Sequence, residues 1–303
     1  MPITRFSIII ISYNQREFIK DAVDSALCQR NDPAEIIVVD DASTDGAQEI
    51  LRQYGDAIRL ICRETNQGAC AARNCGAALA TGEYLVFLDG DDALPPWALD
   101  VYDRIVEARK PMMMLGDHWW FKGTLPALQP GDTPHEIRIV EYEDILRRDR
   151  PYGEPSTKVI NRQAFQAVRG GWSPDAWPME NTDLLLRLGS FGRAILIFTP
   201  RTTFYRRHPG NISANTARCF HPLYKMIDNE RSGEYAGGKA RRFERQALIG
   251  GRILCNAGKA FEAGLVWDAA KLLARGWPMA LAAVARRLGV AIKGRQSCET
   301  IKM

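Results

Sequence analysis

Three apolar runs near the N-terminus, each ending in polar residues, constrain the fold of this 303-residue chain most strongly. The runs FSIIIIS, EIIVVD and EYLVFLD cover residues 6–12, 35–40 and 83–89. Each consists mainly of β-branched, leucine and aromatic side chains. A short run without polar alternation is typical of a strand that is buried on both faces of a parallel sheet.

The segments between these runs carry apolar residues at helical spacing. Phe18, Ile19 and Ala22 begin one such stripe, and a Gly/Ala-rich segment over residues 68–80 is also helical in pattern. A further short strand is predicted over residues 57–62. Strands and helices that alternate in this way predict an α/β fold, with a Rossmann-like, mostly parallel sheet flanked by helices.

The rest of the chain is more varied in composition. We predict a helix over 97–110, a strand within 111–122, and a loop over 123–155 that contains a short helix near 141–148. Further along we predict a strand near 157–160, helices from 162 and from about 180, and a strand over 194–198. Beyond residue 219 the pattern is helical throughout, which predicts a C-terminal helical extension.

Charge is distributed unevenly along the chain, although the formal net charge is only +4. Residues 1–217 hold 24 basic and 29 acidic residues, whereas residues 218–303 hold 16 basic and 7 acidic residues. The basic helical tail fits either a solvated face or a surface attracted to an anionic membrane. Nucleic acid is not an expected partner, because the basic residues are not interleaved with stacking aromatics.

Targeting and redox signals are weak in this sequence. We find no apolar run of the length that a membrane-spanning helix needs and no pattern typical of a signal peptide. We therefore expect a cytoplasmic protein, with peripheral contact at the inner face of the membrane through an amphipathic segment around 277–293. The seven cysteines form an odd set without a CxxC pair, so we expect reduced thiols and neither disulfides nor zinc.

Acidic side chains follow two of the predicted strands. Asp89, Asp91 and Asp92 come after one strand, and Asp40 and Asp41 come after another. In parallel sheets, ligands bind at the carboxyl ends of the strands. Crowded carboxylates repel each other unless a cation neutralises them, and their oxygen atoms suit Mg²⁺ or Mn²⁺. A solvated acidic loop is the alternative interpretation.

Four segments together resemble the signatures of the family 2 glycosyltransferases, which have the GT-A fold. They are SIIIISYNQREFIKDAVDSALCQ, EIIVVDDASTDG, NQGACAARNCGAALATGEYLVFLDGDD and FYRRHPGNIS, in this order, and they span roughly residues 5–215. The resemblance implies a nucleotide-sugar-binding half over 1–110 and an acceptor-binding half of the same domain over 111–218. A basic helical region over 219–303 lies outside it.

The resemblance also implies roles for single residues on the donor side. Tyr13 and Asp41 match positions that hold the nucleotide base, by stacking and by accepting its ring N–H. Arg73 matches a position near the phosphates or sugar of the donor. Asp89 and Asp91 match the metal- and sugar-binding motif. Ordinary structural roles, such as a turn residue or a salt bridge, are the alternatives.

The segment Tyr205–Gly210 resembles one that closes over the diphosphate of the donor. His208 in this segment is predicted to ligate the metal or to donate to phosphate, and Arg206 or Arg207 is predicted to contact phosphate. A lone histidine with a structural role is the alternative.

The acceptor side departs from the family pattern at one position. In similar sequences a Glu-Asp pair at the start of a helix supplies the general base, but here the pair is Glu180 and Asn181. An amide cannot accept a proton at neutral pH, so Glu180 becomes the candidate base and Asp183 a second candidate. Stabilisation of the helix dipole is the alternative role for Glu180.

Two tryptophans, Trp172 and Trp177, resemble the acceptor-side loop of the family and are candidate platforms for a sugar ring, with core packing as the alternative.

These features predict a metal-dependent, inverting glycosyltransferase. The donor is expected to be a nucleotide diphosphate sugar, with UDP favoured, and the acceptor a hydroxyl of a polysaccharide, glycoconjugate or lipid-linked molecule. Asn181 keeps open a non-catalytic or weakly active protein that binds sugar nucleotides. A sugar nucleotidylyltransferase is a further alternative, although the sequence after the first strand lacks the Gly-rich loop of that class.

Overall fold

A computed structural model describes residues 5–29, 34–128, 132, 134–147, 155–210, 216–293 and 298–302. The strands are Phe6–Ser12 (β1), Ala34–Asp40 (β2), Arg59–Cys62 (β3), Tyr84–Asp89 (β4), Met113–Leu115 (β5), His118–Phe121 (β6), Glu136–Tyr142 (β7), Lys158–Asn161 (β8), Ala194–Thr199 (β9), Thr203–Arg206 (β10) and Glu299–Lys302 (β11). The helices are Ile19–Leu27 (α1), Ala47–Arg52 (α2), Ala69–Leu79 (α3), Ala98–Arg109 (α4), Arg162–Ala167 (α5), Glu180–Leu188 (α6), Phe220–Ser232 (α7), Arg242–Glu262 (α8) and Val266–Lys293 (α9).

Nine strands form one sheet in the order β11-β7-β9-β5-β8-β4-β1-β2-β3. The strands β1 to β4 run parallel, as do β5 and β9, whereas β7 and β8 are antiparallel to their neighbours. The predicted α/β fold with a mostly parallel sheet and a C-terminal helical region is therefore confirmed.

The two faces of the central strand β1 pack against separate apolar clusters. Ile8 and Ile10 lie in one cluster with residues of α1, α2 and α4, and Ile9 and Ile11 lie in the other with residues of α3, α5 and α6. Successive side chains of a strand point to opposite faces, so an unbroken apolar run needs cover on both sides. Burial on both faces is what the run over residues 6–12 predicts.

The chain departs from the sequence-based prediction in three places. The segment 111–122 forms two strands, β5 and β6, rather than one. The short helix predicted near 141–148 is shorter than expected, because β7 extends to Tyr142 and, among the described residues of this segment, the helical part is the 3-10 turn Ile145–Arg147. The predicted loop over 123–155 is in part wrong, because it contains the strand β7; residues 129–131, 133 and 148–154 of this range lie outside the described residues.

A strand also lies at the far end of the chain, where only helix was predicted. β11 pairs antiparallel with β7 and is therefore the edge strand of the sheet. The edge of the sheet is thus formed by residues that are distant in sequence from β7. Such a partner cannot be inferred from the local pattern of four residues.

A small second sheet, formed by β6 and β10, positions the segment after β10 near the acidic residues that follow β4. The strands β6 and β10 are parallel, and Phe121 and Phe204 form a small cluster there with Ala93. Ala93 also exchanges backbone hydrogen bonds with Phe204, at 3.0 and 2.8 Å. These contacts bind the end of β10 to the loop that follows β4.

The C-terminal helices pack closely against one another. A Cβ atom on Gly250 of α8 would lie 1.8 Å from the backbone oxygen of Met279 in α9, so only glycine allows this approach.

Among the described residues, no helix is both long and apolar enough to cross a membrane. The predicted domain boundaries, 1–110, 111–218 and 219–303, stay predictions.

Candidate active site

The carboxyl ends of three neighbouring strands meet at one edge of the sheet. Ile11 of β1 lies beside Asp89 of β4, and Ser12 of β1 lies beside Asp40 of β2. This register brings together the polar segments that follow each strand. It is the edge at which ligands of parallel α/β sheets bind.

Three aspartates form a compact cluster after β4. One carboxylate oxygen from each of Asp89, Asp91 and Asp92 lies within 4.8 Å of the others. Asp92 is buried and fully used by the protein, since its oxygens accept from the Ser156 hydroxyl at 2.5 Å and from the backbone N–H of Arg206 at 3.0 Å. Burial raises the pKa of Asp92 well above its usual range, and the charges of Asp91 and Asp89 raise it further.

Asp91 faces His208, with 2.9 Å between its Oδ2 and the imidazole Nε2. Burial raises the pKa of the Asp91 carboxyl and Asp89 raises it further, whereas the hydrogen bond with His208 lowers it. The imidazole ring packs against Phe18, with 4.8 Å between the ring centroids. The structure thus brings together Asp91 and His208, two of the three side chains that the sequence predicted as metal ligands.

The donor set fits a divalent metal ion. Carboxylate oxygens are the ligands that Mg²⁺ and Mn²⁺ prefer, and an imidazole nitrogen is compatible with Mn²⁺. Burial and mutual repulsion disfavour the charged form of Asp91, and a bound cation would remove both penalties. Asp91, His208 and Asp89 are therefore the residues that could hold the ion.

Arg73 of α3 joins the acidic cluster to helix α6. Its guanidinium is buried, donates to Asp89 at 2.6 Å, and lies 3.6 Å from a carboxylate oxygen of Glu180. It also lies over the indole of Trp172, 4.9 Å from the ring centroid. Its Nε and Nη1 atoms make no hydrogen bond to the described residues. These two nitrogen atoms can therefore donate hydrogen bonds to a ligand in the site.

Glu180 is the first residue of α6 and is almost fully buried. Burial raises the pKa of its carboxyl above the usual range, and the nearby Arg73 partly offsets this effect. Its Oε2 atom accepts no hydrogen bond from the described residues. A buried carboxylate oxygen with a free lone pair and a raised pKa has the properties that a general base needs.

Asp183, the second candidate base, is in a different situation. Its carboxylate accepts two contacts of 2.7 Å from the guanidinium of Arg187 and one hydrogen bond of 2.9 Å from the hydroxyl of Tyr235. Both oxygens are therefore engaged in a buried network that ties α6 to the segment after α7. These contacts favour a structural role for Asp183.

The predicted base-binding residues lie at the ends of β1 and β2. Tyr13 is 48% exposed and follows directly after β1. Asp41 is buried, accepts from the guanidinium of Arg63 at 2.8 Å, and accepts from the backbone N–H groups of Gln67 and Gly68 before α3. Asp41 thus fixes the entry to α3. The sequence did not single out Arg63 as its partner.

Arg206 is buried and makes mainly protein contacts. Its guanidinium donates to the backbone oxygen of Asp91 at 2.9 Å, to the carboxylate of Asp21 at 2.6 Å, and to the backbone oxygen of Gly123. All three of its nitrogen atoms therefore have a protein acceptor. This arrangement favours a role in positioning the Asp91 loop over direct contact with phosphate.

The two tryptophans of the predicted acceptor loop are not equivalent. Trp172 is fully buried, with its ring 5.2 Å from that of Phe87 in an edge-on contact. Its position does not support the prediction that its indole stacks on an acceptor sugar. Trp177 is partly exposed and lies near Arg218, so it remains the candidate platform.

Sequence reasoning missed Asn74, the neighbour of Arg73 on α3. Its side chain donates to the backbone oxygens of Gly170 and Trp172, and its Oδ1 accepts from the N–H of Trp172 at 2.8 Å. Asn74 therefore fixes the loop that covers Arg73. No pattern in the sequence marks such a contact, because the partners are almost one hundred residues apart.

Comparison with protein families identifies the chain. The profile described as Glycosyl transferase family 2 matches residues 7–168, which is more than half of the sequence. This chain belongs to glycosyl transferase family 2. The matched residues include β1 to β4, the acidic cluster and Arg73, but they end before Glu180 and His208.

Two relatives show how far the similarity extends. TuaG of Bacillus subtilis (strain 168), a glycosyltransferase whose name refers to teichuronic acid biosynthesis, is 38% identical over 149 residues, or 46% of this chain and 56% of TuaG. The Escherichia coli protein WfaP, named a UDP-Glc:alpha-D-GlcNAc-diphosphoundecaprenol beta-1,3-glucosyltransferase, is 29% identical over 216 residues, or 69% of this chain and 80% of WfaP. The family member described here thus aligns with little more than half of TuaG.

Solved structures confirm the GT-A glycosyltransferase fold. TarS residues 1–349 of S. aureus, in complex with UDP-GlcNAc, matches with a TM-score of 0.62 and 16% identity over 82% of this chain and 71% of that one. The mannosyltransferase PcManGT of Pyrobaculum calidifontis, in complex with GDP-Man and Mn²⁺, matches with a TM-score of 0.53 and 20% identity over 96% of this chain and 80% of that one.

Proposed function

We propose that the chain is a metal-dependent, inverting glycosyltransferase that moves a sugar from a nucleotide diphosphate donor to an acceptor hydroxyl. The observation that carries the proposal is the position of Arg73 between Asp89 and Glu180. The buried guanidinium of Arg73 thereby joins the acidic cluster on the donor side to the carboxylate of Glu180 on the acceptor side. A transferase needs both groups within one pocket.

The donor side is proposed to act as follows. Asp91 and His208 would hold a divalent ion, Mg²⁺ or Mn²⁺, and the ion would supply positive charge near the diphosphate of the donor. Asp89, fixed by Arg73, accepts hydrogen bonds from ribose or sugar hydroxyls. Tyr13 stacks on the base, whose ring N–H is accepted by Asp41.

The acceptor side is proposed to depend on Glu180. In an inverting transfer, a base removes the proton of the acceptor hydroxyl on the face of the sugar opposite the leaving group. The free Oε2 atom of Glu180 takes this proton, and Trp177 forms part of the acceptor surface. Arg206 acts as a positioning residue, since it holds the backbone at Asp91.

We favour a UDP-sugar as donor and a polysaccharide, glycoconjugate or lipid-linked molecule as acceptor. The relatives support this proposal: TuaG is named for teichuronic acid biosynthesis, and WfaP for transfer from UDP-Glc to a diphosphoundecaprenol acceptor. TarS binds UDP-GlcNAc in its complex, whereas PcManGT binds GDP-Man with Mn²⁺, so GDP-sugars belong in the same test.

Calorimetry with UDP, GDP and Mn²⁺ tests the donor site. We expect the wild-type protein to bind one nucleotide in a Mn²⁺-dependent way, and Asp91→Asn to weaken that binding by at least about 100-fold. Asp56→Asn, which changes an exposed carboxylate in the turn before β3, at the amino end of that strand, is the matched control and should bind as the wild type does. Nucleotide binding that is indifferent to Mn²⁺, or intact in Asp91→Asn, would contradict the proposal.

A non-catalytic protein that binds sugar nucleotides is the second candidate, because Asn181 stands where similar sequences have the catalytic Asp. Calorimetry does not separate the two candidates, but a transfer or donor-hydrolysis assay does. Binding of the nucleotide sugar without any turnover across a panel of donors would favour the second candidate.

A further inference from the structure

Helix α9 carries a row of apolar side chains that are exposed to solvent. The row consists of Trp267, Ala270, Ala274, Trp277, Leu281, Val284 and Leu288, all of them exposed. Trp267 is 80% exposed, Trp277 60% and Leu281 59%. The spacing alternates between three and four residues, so the side chains lie on one face of the helix. We call these seven residues the α9 row.

The opposite face of α9 is buried against the other helices of the region. Leu272 and Met279 lie in an apolar cluster with residues of α7 and α8, and Ala269 lies in a second cluster. α9 is therefore apolar on both its inner and its outer face. A helix of this kind is normally covered on both sides, and among the described residues only one side is covered.

The packing holds the row in a fixed position. The backbone of α9 touches α8 at Gly250, and a Cβ atom on Gly276 would lie 2.3 Å from a methyl carbon of Ile253. Close contacts of this kind leave α9 little freedom to rotate and bury its outer face. At about 1.5 Å per residue, the row from Trp267 to Leu288 extends over about 32 Å.

The charges beside the row are positive. α9 contains five basic residues and a single acidic residue, Asp268. Exposed Lys271 lies four residues after Trp267, and exposed Arg287 lies three residues after Val284, so both cations adjoin the row. The partner that covers the row must therefore offer an apolar surface and negative charge together.

We propose that the α9 row docks on the surface of an anionic lipid bilayer. The helix lies in the plane of the interface, with its indole rings at the level of the headgroups and its aliphatic side chains at the acyl boundary. Lys271 and Arg287 contact anionic headgroups at its two flanks. A second copy of the chain fits less well, because two identical α9 helices would bring like charges together without acids to balance them.

The proposal narrows the membrane contact predicted from the basic tail to one helix face. It goes beyond the proposed function, since docking needs neither donor nor acceptor. It would place the enzyme at the surface where a lipid-linked acceptor resides.

Co-sedimentation of the full chain with vesicles tests the docking. We use vesicles of equal parts phosphatidylglycerol and phosphatidylcholine, beside vesicles of phosphatidylcholine alone. We expect the protein to bind the anionic vesicles and this binding to weaken as the salt concentration rises. Binding to the neutral vesicles should be at least about tenfold weaker, because they lack headgroup charge.

The double variant Trp277→Ser with Leu281→Ser removes two exposed apolar side chains and should weaken binding to anionic vesicles by at least about tenfold. Its matched control is Leu27→Ser with Phe191→Ser, two exposed apolar residues outside the C-terminal helices, which should bind as the wild type does. Circular dichroism verifies that both variants are folded.

Three results would overturn the proposal. One is a wild-type protein that does not sediment with anionic vesicles, and another is equal binding by the two double variants. The third is a lipid-free dimer in sedimentation velocity that Trp277→Ser with Leu281→Ser dissociates, which would make a second copy the partner of the row. None of these measurements involves a nucleotide, so they stand apart from the test of the donor site.

Discussion

The carboxyl edge of the sheet and the outer face of α9 are opposite kinds of surface. At the sheet edge, charged groups such as Asp91 and Glu180 are buried, and burial raises the pKa of both. On α9, apolar groups such as Trp277 are exposed. Among the described residues, the Oε2 atom of Glu180 has no hydrogen-bond donor, and the indole of Trp277 has no apolar cover. The difference teaches that the chemistry of the exposed or unpaired group indicates the ligand. Buried carboxylates at the sheet edge suit a cation and an acceptor hydroxyl, and exposed apolar side chains on α9 suit a lipid surface.

Helix α6 contains the same contrast on a smaller scale. Glu180 and Asp183 lie one turn apart and are both buried, yet Glu180 has a free oxygen and Asp183 has none. Only Glu180 retains a lone pair for a substrate proton. Asp183 accepts a hydrogen bond from Tyr235 and so connects α6, at the sheet edge, to the C-terminal helical region. We call this contact the joint between the two regions.

The largest expected effect concerns the sheet edge. Glu180→Gln should lower the rate of transfer by about 10³-fold, because an amide cannot take the acceptor proton. Binding of UDP with Mn²⁺ should stay within a few-fold of the wild type. A transfer assay and calorimetry on the same protein measure the two effects.

The pH profile provides the control for that prediction. Because burial raises the pKa of Glu180, the basic form is lost as pH falls through a value above the ordinary range of glutamate, and kcat should fall with it. Glu180→Gln should lack this acid limb, and adding Asn181→Asp should restore part of the rate. Unchanged turnover in Glu180→Gln would remove this residue from the mechanism.

The next effect concerns the helical region. Gly250→Ala places a Cβ atom 1.8 Å from the backbone oxygen of Met279, so α8 and α9 must separate. We expect the free energy of unfolding to fall by about 3 kcal/mol, measured by urea denaturation. Vesicle binding should weaken as well, since the α9 row loses its fixed support.

The neighbouring glycine is a matched control for this change. Gly251 has no atom within 4 Å of its would-be Cβ position, so Gly251→Ala should leave stability equal or raise it by less than about 1 kcal/mol. Equal midpoints for the two variants would show that the close approach of α8 and α9 does not hold in solution.

The smallest effect concerns the joint between the regions. Tyr235→Phe removes the hydroxyl that donates to Asp183 and should lower the free energy of unfolding by about 2 kcal/mol. Tyr224→Phe is the control, because none of the described residues forms a hydrogen bond with its hydroxyl, and it should change stability by less than about 0.5 kcal/mol. A loss of nucleotide binding in Tyr235→Phe would mean that the joint also shapes the donor site.

Much of the fold could be predicted from the sequence because its signals are local. The unbroken apolar runs at β1, β2 and β4 require cover on both faces, and the helical stripes between them supply it. The strands β7 and β11 could not be predicted, since β7 follows a Pro- and Gly-rich segment and β11 is a four-residue strand. Their pairing depends on contacts between residues more than 150 positions apart.

The candidate site divides in the same way. The sequence alone determined the parallel α/β core, the acidic cluster after β4 and the resemblance to its family, because strand periodicity and short motifs are properties of neighbouring residues. Only the tertiary structure decided that Arg73 lies between Asp89 and Glu180, that Trp172 is buried, and that α9 keeps one apolar face exposed. Burial and partners depend on which distant segments pack together, and that information is not local to any one segment.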